Sequence, residues 1–446
     1  MKQVAGWLKG LLGLVVLAVL ILALMWLFRV AGQRSLTGQK AVSVPTPALN
    51  ERDLTARALV EGMPVPTGTG PAEENLVSTT TVTPTYTAAS TAVVAEQGVV
   101  RILYAVQPAR GPVTLWTLDY DPAMDAVSTH EMSASPFGSA VSMRVYEVSV
   151  SPDGQYIALN LKNVQTGSEY GIWTAAIDGV WLLELMSLDR FYSPMFWDWM
   201  PGSKRMLVGG RDGEAAGTVS VEGGEFYDFA LIPTEDYYHT VIDAAISPDG
   251  QNIVFSIGLE SAIWFLPLDR NTLDLYGIKR FSPSGRSLNG VFSEHITWSP
   301  TGDKIAYFEL LSGEMSEIQV MAVDTGQVSF LSSSDAHNIH PVWSRDGSAV
   351  LYIQETTPGI IGWDGGDPTR WNSSIWIGEV ETGQYREVVS SEGKACWSAD
   401  WLPDGSGIVF LSNRAGSSDV WVVNRDGSGL RRLTEQGNVV ALDVMP

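Results

Sequence analysis

Ala399-Asp-Trp-Leu-Pro-Asp-Gly405, Ile408-Val-Phe410, Ser412-Asn-Arg414, Asp419-Val-Trp-Val-Val423, Asn424-Arg-Asp-Gly-Ser-Gly429 and Leu430-Arg-Arg-Leu-Thr434 stand one after another near the C-terminus. Short apolar or alternating runs are separated by Asp-Gly and Ser/Asn/Gly turns. That order predicts a four-stranded antiparallel meander. A single such sheet cannot bury both faces, so it requires copies of itself on either side.

The copies lie upstream. Ser151-Pro152-Asp153-Gly154, Met200-Pro201-Gly202, Ser247-Pro248-Asp249-Gly250, Ser299-Pro300-Thr301-Gly302 and Ser344-Arg345-Asp346-Gly347 repeat the turn Leu402-Pro403-Asp404-Gly405. They recur at intervals of roughly 50 residues, the length of one β-propeller blade. Arg101–Ala105, Val113–Leu118 and Ala126–Met132 read as second, third and fourth strands with no first strand before them. Val439–Pro446 reads as a first strand with nothing after it. Together these orphans make one blade, which joins the ends of the folded region and removes exposed sheet edges. The expectation is an all-β, seven-bladed propeller over residues 99–446 closed by its terminal strands, with six blades as the alternative. Trp116, Trp173, Trp264, Trp376 and Trp421 fall at matching places in the third strands, as aromatics packing between neighbouring blades do.

Before the repeats, residues 10–28 form an uncharged apolar run flanked by Lys2, Lys9, Arg29 and Arg34, with Trp7 and Trp26 at its two ends. At helical rise it covers about 30 Å, the thickness of a hydrocarbon core. It predicts a transmembrane signal anchor over 10–30 behind a short tail, 1–9. A cleaved signal peptide is the other reading, because Val30-Ala31-Gly32 offers small residues. Residues 31–98 are rich in Ser, Thr, Pro and Ala, without lasting periodicity. They read as an extended linker that holds a domain off a membrane. The net charge of −22 argues against nucleic acid and anionic lipid as partners of the body. The single cysteine, Cys396, excludes an internal disulfide and reads as a small buried hydrophobe.

The Ser-Pro-Asp-Gly turns, the aromatic two residues before the proline, and Asp419-Val-Trp-Val-Val-Asn-Arg-Asp-Gly-Ser-Gly-Leu-Arg-Arg-Leu-Thr434 resemble the TolB-like propeller repeat over roughly residues 99–446. The resemblance implies an extracytoplasmic propeller that binds other proteins. With the anchor, it places the chain in a cell membrane by a single pass, with the propeller outside the cytoplasm and an envelope protein or peptide as partner.

Aligning the first strands on their turns gives a register. Two residues before the proline position stand Val150, Trp199, Ile246, Trp298, Trp343, Trp401 and Val444. Three before stand Ser149, Asp198, Ala245, Thr297, Val342, Asp400 and Asp443; five before stand Glu147, Phe196, Asp243, His295, His340, Ser398 and Ala441. Alternation puts the latter two sets on the face opposite the first, lining the central channel. Asp243, His295 and His340 come from three successive blades, and a carboxylate with two imidazoles is a ligand set for a divalent metal. The other reading is a polar, water-filled channel. Glu147, Asp198 and Asp400 keep a glycan-binding or hydrolytic reading open, since propeller hydrolases place carboxylates at the channel mouth.

Connections between second and third strands, and from fourth strands to the next blade, are long and share one rim. They include 162–170, 281–292, 335–340 with His337, and 356–373. Long loops on a rigid scaffold are where binding concentrates. In the last of them Trp363 and Trp371 are candidate partner anchors, and Asp364 and Asp367 resemble part of a calcium loop without its closing Glu. No Gly-x-Ser-x-Gly elbow, P-loop or His-Glu-x-x-His is present. The reading is therefore a protein-interaction module, not an enzyme, with no resident cofactor.

Overall fold

A computed structural model describes residues 98–446 apart from 109–111, 133–142, 164–168, 180–181, 187–193, 211–215, 224–225, 229–240, 258–262, 269–278, 282–294, 312–314 and 356–371. The expected membrane helix, and the linker up to residue 97, lie outside the described residues. Among the described residues no helix is long and apolar enough to cross a membrane.

The described strands form seven four-stranded antiparallel sheets. The first blade is built from both ends of the folded region. Val439–Val444 is its innermost strand, with Val100–Val106, Thr114–Asp121 and Ala126–Glu131 outward of it. The innermost strands of blades two to seven are Met143–Val150, Pro194–Trp199, Val241–Ile246, Thr297–Trp298, His337–Trp343 and Cys396–Trp401. Each leads outward through three more strands in chain order. Each blade touches the next, and the seventh, through Cys396–Trp401 and Gly407–Ser412, touches the closing strand. The seven-bladed expectation holds, and so does closure: Val444 pairs with Ile102, Leu442 with Tyr104 and Ala441 with Ala105.

The core is divided among the joints. Seven apolar clusters are present, one between each pair of neighbouring sheets. Between blades seven and one, Val409, Leu411 and Val420 meet Ile102, Tyr104 and Leu118, all with no exposure. At about 1.5–3 kcal/mol for each fully buried large aliphatic side chain, these faces supply most of the drive to close the ring. The third-strand tryptophans pack against these inter-blade clusters as expected. They also stack within their own sheet, where Tyr104–Trp116, Phe255–Trp264 and Tyr352–Trp376 are cross-strand partners with ring centroids 6.3, 6.4 and 6.5 Å apart.

The repeated turns are closed by side chains. In Ser151-Pro-Asp-Gly154 the Ser151 hydroxyl donates to Asp153 (2.7 Å) and accepts the Tyr156 N–H (2.9 Å). The turns at Ser247 and Ser344 do the same. Gly154 and Gly250 sit at φ +69° and +71°, where a side chain is strained. A Cβ there would lie 3.6 Å from Pro446 and 3.4 Å from Pro201, each the proline of the preceding blade's turn. Pro446 thus completes the series for the closing blade.

Candidate functional site

The innermost strands line the channel, and their side chains decide what it can do. Most of these strands carry a β-bulge, and the bulges do not fall at one level. The register slips between Val145 and Glu147, Phe196 and Asp198, Val241 and Asp243, Ile339 and Val342, and Trp397 and Asp400. Each bulge adds a residue and re-aims the side chains beyond it. His340 and Ser398 lie within the slip, at φ +55° and +46°, and His295 takes φ +56° two residues before the first paired residue of its strand, Thr297. Left-handed backbone of this kind costs a non-glycine residue roughly 1–2 kcal/mol.

The expected metal triad does not form. Asp243 sits on the turn side of its bulge, whereas His340 sits inside one. The two imidazoles do meet, with centroids 3.8 Å apart and planes tilted by 51°. Asp243 instead accepts the N–H of Ala244 (2.9 Å) and of Ile296 on the next blade (2.6 Å), one with each carboxylate oxygen. Among the described residues no group of three or more His, Cys, Asp or Glu side chains is placed to hold a metal ion. Enclosure by the ring lowers the His295 pKa to about 4. It holds His340 well below the ordinary value, with His295 and His337 adding repulsion. Both imidazoles are therefore neutral at physiological pH.

The other channel carboxylates share the Asp243 pattern. Asp198 accepts the N–H of Trp199 (2.7 Å) and of Ile246 on the next blade (3.1 Å). Asp400 accepts from Trp401 (2.7 Å) and from the N–H of Val444 on the closing strand. Asp443, on that closing strand, accepts the N–H of Val150 at 2.6 Å. The Glu147 carboxylate makes no hydrogen bond to another described residue. The wall is reached by solvent yet surrounded by protein, so ionised groups on it are poorly hydrated. Desolvation raises Glu147 to about 7, with the Asp198 charge adding to it. Desolvation likewise raises Asp198 to about 7 and Asp400 to about 6, against the lowering effect of their backbone donors. Asp443 lies well above its ordinary value, from desolvation first and then the Asp400 charge.

His337, expected in the rim connection 335–340, instead begins the innermost strand His337–Trp343. At the start of its strand its Nδ1 lies 2.9 Å from the Ser316 hydroxyl, and its Nε2 lies 3.8 Å from a Glu355 carboxylate oxygen. Burial raises Glu355 to about 7. Phe308 packs edge-on to the ring. Trp363, Asp364, Asp367 and Trp371 lie outside the described residues. The described ends of the strands flanking them, Glu355 and Ser373, pair with each other.

Sequence reasoning missed the indoles. Register alone assigns Trp199, Trp298, Trp343 and Trp401 to the apolar face and no further. Each nonetheless sends its Nε1–H across to the preceding blade, at 3.2, 3.2, 3.1 and 3.1 Å. The signal in the sequence is their position two residues before the turn, beside the strand end nearest the neighbouring blade.

A closed ring of seven sheets, with channel aspartates tied to backbone N–H groups, defines a rigid β-propeller. Its last repeats are similar to those of TolB: residues 292–445 match the family model described as the TolB beta propeller domain. A Tol-Pal system protein TolB from Anaeromyxobacter dehalogenans (strain 2CP-C) is 38% identical over 130 residues, 29% of this chain and 26% of that protein. A dipeptidyl-peptidase 5 from Porphyromonas gingivalis is 23% identical over 150 residues, 32% of this chain and 21% of that protein. The chain thus spans about a quarter or less of the length of these curated relatives. Among solved structures, a Lactobacillus plantarum protein is similar with a TM-score of 0.51 and 13% identity, covering 78% of this chain and 100% of its own. A periplasmic gluconolactonase of Pseudomonas aeruginosa is similar at 0.50 and 14%, covering 78% and 99%. These likenesses show the fold alone.

Proposed function

We propose that the chain is a membrane-tethered, extracytoplasmic propeller that acts as a protein-interaction module of the cell envelope. Its anchor is the 10–30 segment, and it captures an envelope protein or peptide on the rim that carries the long connections. The observation that carries this reading is the use of the channel aspartates. Asp198, Asp243, Asp400 and Asp443 hold blades together, so the channel chemistry is spent on rigidity. A rigid ring lowers the ordering cost of presenting many loops to one partner. The match to the TolB propeller model, and the relative named as a Tol-Pal system protein, support the same assignment. The glycan-binding or hydrolytic alternative needs a pair of available acids, and among the wall carboxylates only Glu147 makes no tie to a described residue.

The test uses the full chain in its membrane. Trp363→Ala combined with Trp371→Ala is expected to cut cross-linked capture of envelope proteins by about tenfold or more, as the loss of two aromatic anchors does. The melting temperature should stay within about 1 °C of the parent if the pair belongs, as its sequence reads, to a connection outside the strands. Unchanged capture, or capture lost together with the fold, would refute the rim assignment.

A further inference from the structure

Every joint between neighbouring blades carries a polar tie beside the channel, and the ties are of two kinds. Where the residue two before the turn proline is tryptophan, its indole N–H donates to the residue three before the turn on the preceding blade. Trp199 donates to the Ser149 hydroxyl (3.2 Å), Trp298 to the Ala245 carbonyl (3.2 Å), Trp343 to the Thr297 carbonyl (3.1 Å) and Trp401 to the Val342 carbonyl (3.1 Å). Where that residue is aliphatic there is no indole to reach back. There the preceding blade supplies an aspartate, three before its own turn, that accepts the aliphatic residue's backbone N–H. Asp443 accepts from Val150 (2.6 Å), Asp198 from Ile246 (3.1 Å) and Asp400 from Val444.

The two positions are complementary at all seven joints. An aliphatic residue always faces an aspartate across the joint, and a tryptophan always faces a residue without a carboxylate. The physical reason is one of volume and donor supply. The indole fills the gap between strand ends and brings a donor to the neighbour's carbonyl or hydroxyl. A valine or isoleucine leaves both the gap and its own N–H open, and a carboxylate on the facing strand fills the first and satisfies the second. The fourth-to-fifth joint has its indole tie and, in addition, the Asp243 tie to Ile296. The closing blade is held by the carboxylate kind on both flanks, through Asp400 and through Asp443.

We propose that the two ties are interchangeable, so that the residue pair across a joint, and neither residue alone, specifies it. One kind can then be rebuilt as the other. In the full chain, Ser149→Asp, Trp199→Val and the double variant form one cycle at the joint between blades two and three. Asp400→Ser, Val444→Trp and their double form the reverse cycle at the closing joint. Each single variant is expected to lower the melting temperature, by about 2–4 °C or more. Ser149→Asp and Val444→Trp crowd a carboxylate and an indole into a gap that one of them fills, while Trp199→Val leaves the gap open and Asp400→Ser leaves the Val444 N–H without its carboxylate. Each double is expected to recover at least half of the summed loss. If Trp199→Val alone does not fold, folding of the double variant is the supporting result. Additive losses in both cycles, or doubles that fail to fold where the singles fold, would overturn the proposal.

Discussion

Acidification from pH 7.5 to 6 is expected to stabilise this propeller, opposite to the usual loss of carboxylate ion pairs. Glu147 and Asp198 hold folded-state pKa values of about 7, Asp400 about 6, and Asp443 lies well above its ordinary value. A carboxyl raised on folding binds a proton more tightly in the native state. Its stabilising contribution is complete below the unfolded pKa and is lost as pH rises through the folded one. The neutral imidazoles act the other way. His295 is depressed to about 4 and His340 well below its ordinary value, so their contribution is present above about 6.5 and fades as pH falls. Each proton taken up on folding is worth about 1.4 kcal/mol per pH unit. Four carboxyls set against two imidazoles, halved because solvent reaches the channel, leave a gain of roughly 2 kcal/mol. Below about pH 4 the turn aspartates reverse the trend. Asp303 and Asp346 are held at about 2 by their hydroxyl and lysine or backbone donors, and protonating them removes stability. The stability curve should therefore peak near pH 4. The assay is urea unfolding from pH 3 to 8.5 at fixed ionic strength, on the parent and on Asp198→Asn. The variant should lose part of the slope between pH 6 and 7.5. Stability that falls steadily from pH 8 to 6, or an unaltered slope in the variant, would refute the argument from the wall carboxyls.

Two further outcomes are expected at the closing blade and its neighbour. Removal of residues 439–446 takes away buried Val439, Ala441, Leu442 and Val444 together with the Asp443 tie. The apolar part alone is worth about 5–9 kcal/mol, comparable to the whole stability of a typical domain, so the truncated chain should aggregate or resist expression as soluble protein. A truncated chain with an unchanged melting curve would deny closure. Asp419 has no exposure and accepts from Ser417 (2.8 Å), Arg432 (2.6 Å), Thr434 (2.9 Å) and the Gly437 N–H (3.0 Å). Asp419→Ala strands those donors and should cost about 3–5 kcal/mol in urea unfolding, while Asp419→Asn costs less.

The repeat unit is legible in the sequence because its punctuation is local. In the turns at Ser151, Ser247 and Ser344 a Ser hydroxyl, an Asp carboxylate and a left-handed Gly within four residues close the start of the second strand, and each is fixed by chemistry inside the turn. Closure is legible for a related reason: Val439–Val444 has the pattern of an innermost strand, and Arg101–Ala105, Val113–Leu118 and Ala126–Met132 have the pattern of the three strands outward of one. The nearest channel positions are also legible. Asp198, Asp400 and Asp443 point where strict alternation puts them, because they lie between the bulge and the turn.

Alternation stops being a guide at the bulge. The slip falls at Tyr146 and Ile242 in two blades, at Trp197 in another, and at His340 and Ser398 in two more. Residues counted five back from the turn are therefore not equivalent, and strict counting groups Asp243, on the turn side of a bulge, with His340 within one and His295 outside the paired part of its strand. No local residue type marks the slip, since Tyr, Ile, Trp, His and Ser all occupy it. The ties between blades are hidden for the opposite reason. Their residues stand in plain columns, but reading each column down the repeats compares a blade with its copies. The pairing appears only when the aspartate column of one blade is read against the tryptophan column of the next, because the contact that selects those residues lies between blades. The column of seven aliphatic or indole residues before the turn is thus a record of which neighbour each blade was built to meet.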